Sequence, residues 1–168
     1  MTLRLRPAQL RSQAVDPPAT EHPNRDALDA LFRRDALLRT LGGTLEDWGG
    51  GWARVRWTPG EQHRNFAGSV HGGALFALGD AALAVASNSW GRQAVALAVE
   101  VQYLAPVPAG AELVAEARER SRTRRTAAYL IEVRAGEELV ASLQAMGHRT
   151  SGWHLGEAAW PDDWRASH

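Results

Sequence analysis

The chain lacks cysteine and lysine altogether among its 168 residues. The lack of cysteine excludes a disulfide-stapled scaffold, a cysteine-ligated metal and a cysteine nucleophile. The 19 basic residues, all arginine, balance 19 acidic ones. A neutral chain has no bulk electrostatic attraction for nucleic acid or for an acidic membrane, so we expect neither partner. The histidines show no metal-binding spacing, and no metal or cofactor is expected.

No apolar run is long and clean enough to cross a bilayer, because Asp80 interrupts the best candidate. The first residues are rich in arginine and free of acids, but they lack the apolar core of a secretory signal. Two interpretations remain, an organellar transit peptide and a flexible leader. We favour a leader on a cytoplasmic protein. The length suits one domain with a real core.

The chain opens with an irregular arm over residues 1–23, because four prolines break any long helix there. Asn24 can then cap a helix that continues to the glycine pair at 42–43, with Asp35 as the start of a second short turn. This N-terminal helix either docks on the main domain or binds a partner. We favour docking.

Alternating residue character predicts one strand over 52–59 and four more over 95–106, 111–121, 125–134 and 138–149. Between the first strand and the other four, a helix is predicted from near residue 71 to about Ser89. It is apolar almost all round, which predicts burial on all sides. The sheet of about five strands must wrap this helix, giving an α+β domain over 24–150. A tryptophan-rich tail, 151–168, lies on the domain or packs on a neighbour.

Asp80 is a lone carboxylate in this helix, with no basic residue one turn away. It is either bonded to loop amides or functional. Gly72 and Gly73 stand at the helix start, where amides lack intrahelical partners and the dipole is positive. Such an end suits a developing oxyanion, although ordinary turn chemistry explains the glycines equally well.

The helix start at Gly72 and the carboxylate of Asp80 are too far apart to act together within one chain. Gly72 and Asp80 are eight residues apart, which is about 12 Å along a helix. They cannot touch one carbonyl group within the same subunit. Two copies of the helix, antiparallel across a two-fold axis, would bring Asp80 of one near Gly72 of the other.

Asn65, His71, Gly72, Gly73 and Asp80 together resemble the signature of hotdog-fold acyl-CoA thioesterases. The segment HGGALFALGDAALAVASNSWG is especially similar to the PaaI group of phenylacetate-pathway thioesterases. The resemblance covers roughly residues 26–150. It implies a long helix wrapped by a curved antiparallel sheet, with two units pairing into one continuous sheet. A dimer as the functional unit, within a tetramer, is expected.

The resemblance also implies hydrolysis of an acyl-CoA to a free acid and coenzyme A. The expected acyl group is an arylacetyl group such as phenylacetyl or a ring-hydroxylated derivative. Carried over by position, Asp80 is the nucleophile or the general base for water. The Gly72 amide of the facing subunit polarises the carbonyl, and Asn65 places the carbonyl or the water. His71 holds the loop or contributes to the oxyanion site, the first being favoured. Gly73 is expected to bind substrate.

The phosphates of coenzyme A call for basic partners. Arg122, Arg124 and Arg125 are the candidates, because guanidinium groups match phosphate geometry. A solvated sheet edge is the alternative interpretation. One departure is that residues 94–102 contain no Ser or Thr to assist a water, a group that some family members carry there. A hotdog dehydratase or hydratase and a non-catalytic acyl-CoA sensor remain as alternative functions.

Overall fold

The computed structural model describes residues 22–168. Residues 1–21 of the predicted arm lie outside the described part. The elements are α1 Arg25–Phe32, α2 Ala36–Leu41, β1 Thr44–Gly49, β2 Trp52–Trp57, α3 Gly72–Asn88, β3 Arg92–Tyr103, β4 Leu113–Arg122, β5 Thr126–Ala135, β6 Glu138–Trp153 and α4 Asp162–Ser167, with 3₁₀ turns at Glu61–His63 and Glu157–Ala159.

The strands form one antiparallel sheet in the order β1-β2-β4-β5-β6-β3, and α3 lies against it. The helix approaches the sheet closely at Gly79, where a Cβ atom would lie 3.0 Å from the side chain of Leu143. Fully buried Leu78, Ala82 and Ala86 form the same contact face. The predicted α+β architecture, one long helix wrapped by an antiparallel sheet, is confirmed.

The sheet has six strands, so the expectation of about five is one short. The missed strand is β1, whose sequence TLEDWG carries two acids and a glycine, residue types depleted in strands. A bulge between Leu45 and Asp47 also shifts the register against β2. Buried Leu45 and Trp48 are therefore three residues apart, and the usual alternation is lost.

Helix α3 is not buried on all sides, which corrects the expectation drawn from its apolar sequence. Gly73 and Ala84 are exposed, and Ala77, Asp80 and Asn88 are only partly buried. These five positions follow one another at spacings of three and four, so they form one stripe along the helix. We call it the open stripe. The sheet covers the opposite side of α3.

The N-terminal helix is two helices, because Asp35 interrupts it and caps α2 by accepting a hydrogen bond from the Leu38 amide at 2.8 Å. Docking on the domain is confirmed. Leu28 is fully buried, and the Trp48 indole donates to Asp29 at 3.1 Å. Asn24 is the N-cap residue of α1, as predicted, but its side chain makes no capping hydrogen bond and instead donates to the Ala159 carbonyl.

The tail packs on its own domain, the first of the two predicted placements. Strand β6 continues to Trp153, and the chain then turns back. Trp160 is buried in the main core, and the Trp164 indole donates to the carbonyl of Trp90 at 3.0 Å. Among the described residues, no helix is long and apolar enough to cross a membrane.

Candidate active site

The N-terminal end of α3 presents one uncommitted amide. His71 is the N-cap residue, and its Nδ1 accepts a hydrogen bond from the Gly73 amide at 2.9 Å. The Gly73 N–H is thereby satisfied. The Gly72 N–H has no hydrogen-bond partner in the described part of the chain. A free amide at the positive end of a helix dipole is suited to stabilising an oxyanion. His71 holds this end of the helix through its own imidazole.

Asn65 organises the preceding loop with one side of its amide. Its Oδ1 accepts from the amides of Ala67 and Ser69 at 2.9 and 3.2 Å. This fixes the orientation of the side chain, because an N–H group in that place would face two donors. The Asn65 Nδ2 has no partner within residues 22–168. Asn65 and Gly72 line one cavity of about 390 Å³.

Tyr103 lines the same cavity and was not singled out as a site residue from the sequence. A Cβ atom at Gly72 would lie only 3.0 Å from Cζ of Tyr103, so the absence of a side chain at 72 lets the ring approach. The strand pattern marks Tyr103 only as one of several apolar positions in β3. Its neighbour Gly72 lies 31 residues earlier, and no local pattern links the two.

The Asp80 carboxylate is half-buried in the middle of α3. Within the described residues it makes no hydrogen bond and no ion pair, so the alternative of an Asp bonded to loop amides is not what the structure shows. Burial raises the pKa of Asp80 above its ordinary value, and the nearby charge of Asp35 raises the pKa further. A carboxylate that is partly desolvated and has no neighbouring positive charge to neutralise it is suited to acting as a base or nucleophile.

The cavity at Asp80 is small, about 120 Å³, and its walls include Ala94 and Ala96 of the edge strand β3 and Gly147 of the neighbouring β6. It shares no lining residue with the cavity at Gly72. The free donors and the free acid of one chain therefore open into different spaces, as their separation of about 12 Å along the helix requires.

A larger space of about 340 Å³ adjoins the Asp80 cavity. The two share Ala84, Asn88 and Ala94 as lining residues. The larger one is an open groove whose other lining residues are Leu31, Phe32, Asp35, Val85 and His154. Local sequence patterns did not indicate this space, since its walls come from α1, the start of α2, α3, β3 and the tail.

The three candidate arginines differ in their surroundings. Arg122 stacks on Trp90, with its guanidinium 4.2 Å from the ring centroid, and forms an ion pair with Glu119 at 3.4 Å. It is largely occupied within its own chain. Arg124 and Arg125 are exposed in the turn between β4 and β5. No group of three potential metal ligands was found among residues 22–168.

The chain is similar to known proteins over most of its length. The family model described as Thioesterase superfamily matches residues 67–142. The acyl-coenzyme A thioesterase PaaI of Escherichia coli K12 is 38% identical over 130 residues, which are 77% of this chain and 93% of that protein. The chain belongs to the thioesterase superfamily.

Solved structures of such thioesterases superpose well. The E. coli PaaI structure, from the phenylacetic acid degradation operon, has a TM-score of 0.74 at 35% identity, covering 79% of this chain and 96% of that one. A mutant of the phenylacetic acid degradation protein PaaI from Thermus thermophilus has a TM-score of 0.67 at 38% identity, covering 69% and 100%. The prediction of a thioesterase with this fold is thus confirmed. The matched family region includes Gly72 and Asp80, while the tail of this thioesterase lies outside it.

Proposed function

We propose that this thioesterase hydrolyses an acyl-CoA, and that the acyl group is an arylacetyl group such as phenylacetyl or a ring-hydroxylated derivative. Two relatives support this choice, one an acyl-coenzyme A thioesterase and one a phenylacetic acid degradation protein. The functional unit we propose is a dimer, within a tetramer in the cytoplasm.

The observation that carries the proposal is the division of the site. The Gly72 N–H and the Asn65 amide are free donors in one cavity, and the Asp80 carboxylate is a free acid in another. Two copies of α3, antiparallel with their open stripes facing, would place each acid opposite the partner's donors. The dimer would then hold two complete sites.

Strand β3 supports such a pairing. It is one edge of the sheet and 12 residues long. Val95 and Leu97 on it are 55% and 60% exposed. A long edge strand with exposed apolar side chains is a template for pairing with another strand, and pairing of two β3 strands would cover it. Both sheets would then become one.

In this arrangement the substrate carbonyl lies between the two subunits. Asp80, ionised, either attacks the carbonyl carbon or takes a proton from a water that attacks it. The Gly72 N–H and Asn65 Nδ2 of the partner copy donate to the oxygen as it gains negative charge. Collapse of the tetrahedral intermediate breaks the C–S bond. In the water route Asp80 returns the proton it took to the leaving sulfur, and coenzyme A leaves as the thiol. In the direct route coenzyme A leaves as the thiolate and takes its proton from solvent. By the direct route, water then hydrolyses the acyl-Asp80 anhydride.

Mixing two inactive variants tests the shared site. Asp80→Asn removes the acid, and Gly72→Pro removes the amide hydrogen at a position where proline suits a helix start. A dimer containing one copy of each variant keeps one intact site out of two. After unfolding and refolding of an equal mixture, half the dimers are mixed, so about a quarter of wild-type activity should return.

Each variant refolded alone is the control and should remain inactive. Released coenzyme A, detected with a thiol reagent on phenylacetyl-CoA, is the measurement. A mixture no more active than its components would contradict the shared site. Absence of hydrolysis of every acyl-CoA by the wild-type chain would contradict the proposed function itself.

A further inference from the structure

His154 follows directly after β6 and is held in place on two sides. Its amide donates to the carbonyl of Gly91 at 2.9 Å, and its carbonyl accepts from the indole of Trp160 at 2.7 Å. Because Trp160 is buried, the backbone at 154 is tied to the core. The imidazole is thus a fixed wall of the 340 Å³ cavity.

The hydrogen bonds around Asn88 fix the tautomer of His154. The Asn88 Nδ2 donates to the carbonyls of Ala84 and Ala94 at 2.9 and 3.2 Å, and its Oδ1 accepts from the Ala94 amide at 2.9 Å. Oδ1 therefore faces His154 Nε2, 2.8 Å away, and can only accept. The proton lies on Nε2. Burial lowers the pKa of His154, which favours the neutral ring. Nδ1 keeps its lone pair and has no hydrogen-bond partner in the described part.

A continuous path joins this acceptor to the catalytic acid. Asp80, Ala84 and Asn88 follow one another on the open stripe, and the two cavities share Ala84 and Asn88. From Asp80 to Asn88 the helix rises about 12 Å. A reacting carbonyl lies about 3 Å from Asp80, and a hydrogen bond to the imidazole takes about another 3 Å. With Asn88, whose Oδ1 contacts the imidazole, marking the far end, roughly 6 Å remains for the acyl group between its carbonyl carbon and its polar tip.

A flat ring with a hydroxyl opposite its side chain fits a space of this length. Most of the lining is apolar, with Phe32 and Val85 among it, and Asp35 and Asn88 are its other polar members. His154, whose Nδ1 has no donor among residues 22–168, lines the same space. An acceptor in a largely apolar pocket favours a group that brings a hydroxyl hydrogen and disfavours one that does not.

We propose that His154 is a specificity-determining residue, whose Nδ1 accepts a hydrogen bond from a hydroxyl at the distal end of the acyl group. This inference rests on the proposed thioesterase function with Asp80 as the acid. It assigns the segment after the last strand, which lies outside the matched family region, a part in substrate choice.

The proposed role of His154 is tested by comparing two substrates on each form of the enzyme. The substrates are 4-hydroxyphenylacetyl-CoA and phenylacetyl-CoA, and the quantity is the ratio of their kcat/KM values. The wild-type chain should prefer the hydroxylated substrate. His154→Phe keeps a flat ring but removes the acceptor, and the preference should fall roughly three- to tenfold, the worth of one neutral hydrogen bond. The ratio cancels any loss from partial unfolding, which affects both substrates alike.

Two further variants separate the imidazole from its surroundings. His168→Phe keeps the stacking on Trp90 and Trp164, lies outside the cavity, and should leave the ratio unchanged. His154→Asn places an oxygen near the position of Nδ1 and should restore part of the preference. Asp35, the other acceptor in the cavity, is tested by Asp35→Asn.

The outcomes divide cleanly. An unchanged ratio in His154→Phe, with hydrolysis of both substrates intact, overturns the role of His154 and leaves the proposed function standing. If the preference disappears in Asp35→Asn but survives in His154→Phe, the hydroxyl binds Asp35, and the proposed role of His154 is overturned. No hydrolysis of any acyl-CoA by the wild-type chain overturns both proposals.

Discussion

The N-terminal end of α3 and its middle are chemically opposite. At the N-terminal end, the Gly72 amide and the Asn65 side-chain NH₂ are hydrogen-bond donors without acceptors among residues 22–168. In the middle of the helix, Asp80 is an acceptor without a donor in the same part of the chain. Each position is incomplete in a way that the other would satisfy. The helix is rigid over the roughly 12 Å between them, so one copy cannot bring its own two positions together.

Removing the acid should have the largest effect. Asp80→Asn is expected to lower kcat by at least about a thousandfold, because it removes the nucleophile or base. Initial rates of thiol release measure this. Asp26→Asn, an exposed acid on α1, is the matched control and should keep full activity. Rates within tenfold of wild type in Asp80→Asn would contradict its role.

The same substitution should stabilise the fold at neutral pH. Since the pKa of Asp80 is raised on folding, the folded chain holds this proton more tightly than the unfolded chain. Its contribution to stability is full below the ordinary value of 3.8 and is lost as pH rises through the raised pKa. Asp80→Asn should therefore increase the free energy of unfolding at pH 7 and give no gain at pH 3, as measured by urea denaturation. A lower stability at pH 7 would show a structural partner for the acid.

Removing the Gly72 amide donor at the N-terminal end of α3 should have the next largest effect on kcat. Gly72→Pro should lower kcat about 10²- to 10³-fold, the usual effect of one lost oxyanion donor. His71 is already extended, with φ −64° and ψ 134°, which is compatible with a following proline. Gly72→Ala adds the same Cβ near Tyr103 but keeps the N–H, and should lose only a few-fold. Equal losses in both variants would assign the effect to crowding of Tyr103.

A smaller effect, on the pH dependence of the rate, is expected from removing the charge of Asp35 near Asp80. The carboxylate of Asp35 raises the pKa of Asp80, so Asp35→Asn should lower that pKa. More of the acid is then ionised at low pH, and the acid limb of kcat/KM should move to lower pH. Asparagine is also a good N-cap, so α2 should be retained. A limb that stays in place, or moves to higher pH, would contradict the coupling.

The smallest expected effect is at the turn between β4 and β5. Replacing both Arg124 and Arg125 by alanine should raise KM about three- to tenfold for an acyl-CoA, if these exposed groups contact its phosphates. The same acyl group on pantetheine, which lacks the nucleotide, should show no change. Arg39→Ala on α2 is the control. Equal KM changes for both thioesters would contradict phosphate contact.

Local patterns predicted more of the backbone than of the site. The apolar run with one acid predicted α3 and singled out Asp80, and the glycine pair marked its start. Strand β1 was missed because a bulge removes the alternation that identifies a strand. Tyr103 and His154 were not singled out from the sequence, because each lines a cavity beside a segment far away in the chain, which no local periodicity records.

The sequence by itself determined the length of α3, and with it the separation of Gly72 from Asp80, because the rise of a helix is fixed by backbone geometry. Only the tertiary structure decided which side of that helix stays open. An apolar helix gives no signal for its exposed side, since that depends on where a sheet of limited width ends. The same packing decided which amides stay free and which distant residues, His154 among them, line the space beside the Asp80 cavity.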